Sequence, residues 1–409
     1  MGTGGLAILR ADIGPGRSLR YTLPLGDGPA TWHALADLAE RGGSMNGDAG
    51  GALIGRWKMG RTPAQSGEGP SAAVRPLGVD QSNTSWVIGE RSVLKLYRRL
   101  ARGQNPEVEL AAALVGAPIP AFRGAIRYRG ATWGPADVAI VQQLAPAAGD
   151  EFELLAERLV DWLRADCPAG VLLPLLADLA EAGRTVAELH GALLSLEGRD
   201  LRPRPAVAAD SARWAARARS AMNAAIRATA PADPLLAAEL RATRAAIESA
   251  MAPLATVTSG AMVARIHGDL SVSQLIRDGT GFLIVDLEGE PTRSVAERRR
   301  PDTQIRDLAS FLRSIDHITR SAIRRSSVHD QGPAVDRWLD SARRTFLGAY
   351  REGLAVERVD TVVEPRLLHA LEVEKELYEF AYAAMYLPAW RYAPAAGLRW
   401  LLKRGPVEG

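Results

Sequence analysis

Long segments rich in Ala, Leu and Arg, with apolar residues at helical spacing, make up most of the chain beyond residue 146. The spacing predicts helices at 151–165, 171–193, 207–228, 233–251, 304–318, 333–352 and 365–387. The second half of the chain is therefore expected to be mostly helical.

Short apolar runs rich in β-branched residues precede this helical part. Thr84 to Ile88, Ser92 to Tyr97, Ala125 to Tyr128 and Val138 to Leu144 predict the strands of a small sheet. Between the second and third runs, Asn105 to Val115 predicts a helix, because an Asn-Pro start is followed by acidic residues that favour a helix N-terminus.

The first part of the chain is rich in glycine. Turn signals between residues 41 and 51 follow short runs such as Leu19 to Leu23, which predicts a strand. We predict a β-rich cap over residues 1–70, a small sheet lobe over 71–145 and a helical lobe over 146–409. The expected fold class is α+β.

One hairpin is predicted inside the helical part. The apolar runs Gln274 to Arg277 and Phe282 to Asp286 flank a turn from Asp278 to Gly281. A small ribbon of this kind is expected to hold side chains in place.

Composition and charge narrow the classes of partner. With 47% hydrophobic and 24% charged residues, the chain lies in the range of ordinary folded proteins. The net charge is +3 and the basic residues are spread along the chain, so a nucleic-acid partner is not predicted. The densest basic cluster, Arg298 to Arg300, is typical of a solvated loop.

Cysteine usage and hydropathy indicate the compartment. The single Cys167 cannot form an internal disulfide, and no nearby Cys or His suggests a zinc site, which fits a reducing cytoplasm. Met1 to Arg20 lacks the apolar core of a signal peptide, and no run of about 18 apolar residues occurs. We expect a cytoplasmic protein without a membrane partner.

The segment from Ile266 to Pro291 carries the strongest chemical signal. Asp269 precedes the predicted hairpin, Gln274 begins its first strand and Asp286 ends its second strand. The hairpin is expected to bring these oxygen-bearing side chains to one end of the ribbon. Phosphoryl transfer needs a carboxylate to accept a hydroxyl proton and oxygen ligands for magnesium.

A His-Gly-Asp motif ending at Asp269, with the later Asp286, resembles the catalytic region of aminoglycoside phosphotransferase-like kinases. The resemblance implies a bilobal, protein-kinase-like fold with ATP and Mg²⁺ as cofactors. It makes Asp269 the catalytic base and Gln274, Asp286 and Glu288 the metal ligands. Gln274 stands where many relatives carry Asn. For the His-Gly-Asp motif alone, a surface turn is the alternative interpretation.

The small lobe is then expected to bind the nucleotide. Lys95, a lone cation in an apolar strand, suits the lysine that contacts the phosphates, and an edge-strand lysine pointing to water is the alternative. Glu109, or as second choice Glu107, would pair with it, unless both compensate the helix dipole. The nucleotide-binding residues predicted are Gln81, Ser82, Asn83, Thr84 and Ser85 in a phosphate-covering turn, Lys95, Glu109, and Gln142, Gln143 and Leu144 in a hinge.

Further segments resemble the bacterial maltokinases over about residues 78–400. They include Leu94 to Leu100, Asn105 to Glu109, Arg306 to Asp316 and Pro388 to Trp390. The chain departs from maltokinases in its shorter length, its weak match in the cap and Ser271-Val272-Ser273 after the His-Gly-Asp-Leu motif. It is similar to a diverged branch of this family that contains glucosamine kinases.

The maltokinase resemblance implies a sugar site along 371–385, where a Lys and two Tyr contact sugar hydroxyls and a Glu lies beside them. The substrate residues predicted are Lys375, Tyr378, Glu379 and Tyr382 on this face, with Asp302, Arg306, Asp307 and Trp390 as further candidates. For the aromatic residues core packing is the alternative. For Asp302 and Arg306 the alternative is a loop ion pair.

A sugar kinase is the function predicted. Glucosamine, phosphorylated at its 6-hydroxyl, ranks first on the resemblance to glucosamine kinases, and the carboxylates near the predicted sugar face agree with it because a buried ammonium needs them. Maltose, phosphorylated at its anomeric hydroxyl, ranks second. An aminoglycoside phosphotransferase commonly has a denser acidic surface than a net charge of +3 indicates. A non-catalytic nucleotide-binding regulator is expected to have lost at least one of Lys95, Asp269, Gln274 and Asp286.

Overall fold

The structure is a computed structural model of the 409-residue chain. It describes residues 5–14, 17–26, 28–48, 50–56, 73–78, 83–145, 151–257, 260–328, 332–357 and 363–406. The chain forms two compact units. The sheet-rich unit comprises Met1–Pro146 and Asp286–Arg299, and the helical unit comprises Ala147–Val285 and Arg300–Gly409.

The sheet-rich unit is built from antiparallel strands and short helices. Its strands are β1 (Gly5–Gly14), β2 (Arg17–Leu25), β3 (Gly43–Asn46), β4 (Ala52–Arg56), β5 (Val74–Pro76), β6 (Thr84–Ile88), β7 (Ser92–Leu96), β8 (Arg99–Leu100), β9 (Phe122–Arg129) and β10 (Ala136–Gln143). Its helices are α1 (Pro29–Arg41), α2 (Pro106–Ala113) and α8 (Val295–Arg298).

Two sheets organise these strands. One has the order β1-β2-β8, and the other has the order β3-β4-β9-β10-β7-β6-β5. All strand pairs in both sheets are antiparallel. Strands β3 and β4 come from the predicted cap, yet they extend the same sheet as the four strands predicted from the sequence. Leu94, Ile126 and Ile140, on the interior strands, are fully buried.

Helix α1 was not predicted, because only turn and strand signals were recognised in the glycine-rich first part. Its buried Trp32 stacks on Trp86 of β6 at 4.6 Å between ring centroids. The helix backbone lies so close to the sheet that a Cβ at Gly55 would come within 1.8 Å of the Leu38 carbonyl oxygen. A Cβ at Gly124 would come within 2.1 Å of a carbonyl oxygen of the same helix. Both strand glycines are therefore required for this packing.

The helical unit contains the remaining elements. Its helices are α3 (Glu151–Arg164), α4 (Leu173–Leu194), α5 (Ala208–Thr229), α6 (Pro234–Ala242), α7 (Arg244–Met251), α9 (Ile305–Ser326), α10 (Gly332–Val356), α11 (Pro365–Tyr386) and α12 (Tyr392–Arg404). Its short strands are β11 (Arg204–Pro205), β12 (Met262–Val263), β13 (Leu275–Arg277) and β14 (Phe282–Ile284). The helix predicted over 233–251 is divided at Thr243, and α12 was not predicted.

Helix α9 provides much of the core of the helical unit. Leu308, Phe311 and Ile315 are fully buried, and Phe311 stacks on Phe346 of α10 at 4.4 Å. Among the described residues, no helix is both long and apolar enough to cross a bilayer.

The predicted hairpin is present as β13 and β14, which pair antiparallel with Leu275 opposite Ile284. The Asp278 carboxylate closes the turn by accepting from the Thr280 N–H and hydroxyl, at 2.9 and 2.7 Å. Gln274 lies in a 3-10 turn just before the strand and not in the strand itself.

Candidate active site

Lys95 is the centre of a charged cluster in the sheet-rich unit. It lies on β7, which pairs on both sides with β6 and β10, so the alternative of an edge-strand lysine is wrong. Its Nζ donates to Asp286 Oδ1 at 2.5 Å and lies 2.9 Å from Glu288 Oε1 and 3.2 Å from Glu107 Oε2. We call these four residues the lysine cluster.

The cluster has more carboxylates than cations. Burial opposes the charge of Lys95, but Asp286, Glu107 and Glu288 outweigh it and hold the pKa of Lys95 well above its ordinary value. Burial, together with Glu288 and Asp286, raises the pKa of Glu107 to about 7, although Lys95 acts to lower it. The surplus of carboxylates suits the cluster to a further cation.

Glu107 and not Glu109 contacts Lys95. The two residues lie two positions apart on α2, so they point to different sides of the helix and only one of them can face β7. Glu109 pairs instead with Arg299, with its two carboxylate oxygens 2.9 and 2.6 Å from Nε and Nη2. The prediction that Glu109 holds Lys95 is therefore wrong.

The carboxylates of the lysine cluster have the chemistry of a magnesium site. One oxygen from each of Glu107, Asp286 and Glu288 lies within 4.8 Å of the others. Magnesium prefers oxygen ligands of this kind. Asp286 has a φ of +65°, in the left-handed region that Asp adopts more readily than most side chains. Asp286 and Glu288 fit the predicted metal role.

The predicted phosphate-covering turn is described only in part. Residues 81–82 lie outside the described residues. Asn83 donates from Nδ2 to Glu288 Oε1 at 2.8 Å, so it borders the lysine cluster. Residues 84–85 begin β6 and belong to the sheet. Their contact with a nucleotide stays a prediction.

The predicted hinge lies at the end of β10. The N–H of Gln143 donates to Ala121, and the N–H of Leu144 donates to Arg91, each at 2.8 Å. These two donors therefore already have partners within the protein and stabilise the end of the strand. The hinge also stays a prediction.

The His-Gly-Asp loop of the helical unit is fastened to α9. The backbone N–H groups of His267 and Gly268 donate to the two carboxylate oxygens of Asp307, each at 2.8 Å. The His267 ring donates from Nε2 to the Val285 carbonyl at 2.9 Å. These bonds fix the loop and leave the Asp269 side chain 33% exposed.

Asp307 is a loop anchor and not the sugar contact that the sequence suggested. Its side chain is fully buried, and its Oδ2 also lies 3.3 Å from Nε2 of His190. The other ring nitrogen of His190 accepts from the Tyr350 hydroxyl at 2.8 Å. A carboxylate enclosed in this way cannot reach a substrate.

The predicted sugar face meets Asp269. Lys375 of α11 donates from Nζ to Asp269 Oδ1 at 3.1 Å and lies 3.6 Å from Glu379 Oε1. Its Nζ is 4.5 Å from the centre of the Tyr378 ring. Tyr378 and Tyr382 stack at 6.2 Å between centroids. The structure therefore brings together the base and the four helix residues predicted beside it.

Asp302 and Arg306 are parts of a buried ion-pair network. Asp302 Oδ2 accepts from Arg217 at 3.0 Å and from Arg306 at 3.1 Å, and Arg306 also donates to Glu374 at 2.7 Å. Burial raises the pKa of Asp302 even though Arg217 lowers it. This geometry favours the ion-pair interpretation over sugar contact, because these charges are compensated within the protein.

Gln274 and Trp390 occupy two other positions in the helical unit. The side-chain oxygen of Gln274 accepts from the hydroxyls of Ser271 and Ser273, the latter at 2.9 Å. The two serines of the altered loop thus orient Gln274, whose role as a metal ligand stays a prediction. Trp390 packs edge-on against Phe152 at 6.1 Å, but both side chains are only partly buried, so the core-packing alternative is not supported and contact of Trp390 with a sugar stays a prediction.

Similarity to curated proteins identifies the family. The chain is 30% identical over 409 residues to a glucosamine kinase of Streptacidiphilus jiangxiensis, covering 94% of this chain and 86% of the relative. It is 33% identical over 340 residues to a glucosamine kinase of Mycolicibacterium smegmatis, covering 81% and 80%. The chain belongs to the glucosamine kinase family. No protein-family model matches it.

Solved structures support the same family. A glucosamine kinase crystal structure matches with a TM-score of 0.72 at 26% identity, over 97% of this chain and 94% of that chain. A glucosamine kinase in complex with glucosamine, ADP and inorganic phosphate matches with a TM-score of 0.71 at the same identity and coverage. The predicted resemblance to glucosamine kinases and the predicted α+β, bilobal kinase-like fold are confirmed.

Some residues of the candidate active site of this glucosamine kinase family member were missed or misassigned from the sequence. The triplet at 298–300 was interpreted as a solvated loop, yet Arg298 donates to the Glu288 carbonyl at 2.9 Å and Arg299 pairs with Glu109. Arg-rich runs carry no signal that separates solvated from paired arginines. Asp307, in the first turn of α9, is visible in the sequence as an acidic residue, but the sequence does not show that its side chain binds the His-Gly-Asp loop.

Proposed function

We propose that this protein is an ATP-dependent glucosamine kinase that transfers the γ-phosphoryl group to the 6-hydroxyl of D-glucosamine. The observation that carries the proposal is the placement of Asp269, in a chain of the glucosamine kinase family, against Lys375 of the predicted sugar face. The Asp269 carboxylate, about one-third exposed, is fixed by its loop and remains open to a substrate hydroxyl.

Asp269 acts as the general base. Its carboxylate accepts the proton of the 6-hydroxyl while that oxygen bonds to the γ-phosphorus, and the bond from this phosphorus to the β,γ-bridging oxygen breaks to release ADP. Lys375 at 3.1 Å holds the carboxylate in one orientation. The loop needs no rearrangement, because Asp307 already fixes its backbone.

The sugar would lie along the face made by Lys375, Tyr378, Glu379 and Tyr382. Tyrosine rings and hydroxyls suit the apolar and polar sides of a sugar. The Glu379 carboxylate, with its side chain 16% exposed, already lies 3.6 Å from Lys375 and 3.7 Å from Arg313, and it would exchange one of these cations for the ammonium of glucosamine. Maltose offers no charge for this carboxylate.

The lysine cluster would bind the nucleotide phosphates. Lys95 supplies the positive charge, and Asp286 and Glu288 would hold magnesium, which neutralises charge on the phosphates when it is bound. Lys95 already lies between carboxylates, so it would exchange Asp286 for phosphate oxygens on binding. We also propose a cytoplasmic location, where ATP is available and the single Cys167 stays reduced.

One substrate panel tests the proposal. ADP release would be measured with glucosamine, glucose, N-acetylglucosamine, maltose and an aminoglycoside, and the product identified by phosphorus NMR. We expect glucosamine to give the highest kcat/KM, with N-acetylglucosamine much poorer because it lacks the ammonium. Turnover of maltose without turnover of glucosamine would overturn the proposal in favour of a maltokinase.

A further inference from the structure

The segment Asp286–Arg299 belongs to the sheet-rich unit although the chain on both sides of it belongs to the helical unit. At its first residue, Asp286 accepts from Lys95 at 2.5 Å. Two residues on, Glu288 accepts from Asn83. At its last residue, Arg299 makes its paired bonds to Glu109. The segment is thus attached to its own unit at both ends.

The arginines make the rest of the segment compact. Nη1 of Arg298, on the short helix α8, donates to the Glu288 carbonyl at 2.9 Å and lies 3.4 Å from its carboxylate. Ser294 caps this helix by donating to and accepting from Glu297. Motion of Arg299 would therefore be transmitted to Glu288 through Arg298, its neighbour in the chain, which bonds to Glu288.

The pair between Arg299 and Glu109 also acts on α2. The Glu109 side chain is 8% exposed and the Arg299 side chain is 29% exposed. The two hydrogen bonds are therefore partly shielded from water and stronger than those of an exposed pair. Glu109 lies two residues beyond Glu107 on the same rigid helix. Holding Glu109 therefore also fixes the carboxylate that contacts Lys95.

We propose that Arg299 and Glu109 form a positioning clamp that aligns the lysine cluster for the magnesium nucleotide. The clamp touches neither nucleotide nor sugar. It joins the end of the Asp286–Arg299 segment to α2, and it thereby sets the spacing of Asp286 and Glu288 relative to Glu107 and Lys95. The inference rests on the proposed function in assigning those carboxylates to magnesium and the phosphates.

The test compares the full chain with Glu109→Gln, Arg299→Gln and the double variant. Calorimetry would measure ADP affinity with Mg²⁺ and with EDTA. We expect each single variant to bind MgADP about tenfold more weakly, and metal-free ADP within about twofold of wild type. The double variant should be no weaker than either single variant, because both changes break one interaction.

Amide hydrogen exchange gives a second readout that needs no ligand. Peptides from 287–299 should exchange faster in both single variants, while peptides from β9 and β10 stay unchanged. The matched control is Glu239→Gln, which removes a pair with Arg399 that also has two hydrogen bonds but is exposed and lies in the helical unit. It should leave MgADP affinity and exchange unchanged.

Two outcomes would overturn the clamp. One is wild-type MgADP affinity and exchange in both single variants, and the other is a double variant whose losses are the sum of the two. Neither readout uses sugar, so failure of the wild type to phosphorylate glucosamine would count against the proposed function while the clamp is still decided by these measurements.

Discussion

At the scale of single residues, Asp269 is the side chain on which the proposed chemistry depends. Asp269→Asn keeps the size and can still accept from Lys375, but it cannot accept a proton. We expect kcat to fall by about 10³-fold while the affinity for MgADP stays within about twofold. Steady-state kinetics and calorimetry measure the two quantities. A variant with full turnover would remove Asp269 from the mechanism.

His317 should make the stability of the protein depend on pH. Burial, followed by the neighbouring Arg313, lowers the pKa of His317 to about 3, and its Nε2 lies 2.8 Å from Glu376. Because the folded pKa of His317 lies below the unfolded value of about 6.5, its unfolded state binds more protons, and its contribution to stability is lost as pH falls from about 7.5. The adjacent Glu376 acts in the opposite direction, since burial raises its pKa well above the ordinary value.

The size of this effect can be measured with His317→Gln. Wild type should lose about 2 kcal/mol of unfolding free energy more than the variant between pH 7.5 and pH 5. Urea denaturation at several pH values gives the unfolding free energy of each protein as a function of pH. The comparison is between these two pH dependences, so a constant difference in stability between the proteins does not matter. An equal pH dependence in the two proteins would show that the pKa of His317 is the same in the folded and unfolded states.

At the scale of elements, the contact between α1 and the sheet is set by glycine. Gly124→Ala would place a methyl group against the Ala39 carbonyl of α1 and should destabilise the protein by about 2–3 kcal/mol. Gly348→Ala is the control: it lies in α10 with open space around its Cβ position, and it should stabilise by about 0.5–1 kcal/mol. Equal effects on thermal unfolding would contradict this packing.

Much at this scale was accessible from the sequence. Helical spacing predicted α3, α4, α5, α9, α10 and α11 with shifts at their ends, and β-branched runs predicted β6, β7, β9 and β10. Helix α1 was missed even though Pro29 at its first turn and the apolar positions at Trp32, Leu35 and Ala39 follow helical rules. Glycine on both sides of it dominated the interpretation.

The site was predictable in its chemistry more than in its contacts. The roles proposed for Lys95, Asp269 and Lys375 follow from short local motifs. The choice between Glu107 and Glu109 depends on the rotation of α2 about its axis, and the partner of Glu109 lies 190 residues away. Sequence patterns in one chain do not encode such distances.

At the scale of the whole molecule, nucleotide binding should add to stability by mass action. MgADP at about 100 times its Kd is expected to add about 2.7 kcal/mol to the unfolding free energy of the region that binds it. Thermal unfolding with MgADP, ADP plus EDTA, and Mg²⁺ alone separates the contributions. Asp286→Ala should remove the part that needs Mg²⁺, and an unchanged MgADP shift in that variant would contradict its role as a ligand.

Because residues 286–299 belong to the sheet-rich unit, hybrids with other family members cannot be built by exchanging residues 1–146 alone. A single crossover near residue 146 would combine Lys95, Glu107 and Glu109 from one parent with a 286–299 segment from another. Buried charges would then face partners of a different ancestry. Hybrids should be most stable when residues 1–146 and 286–299 are taken from the same parent.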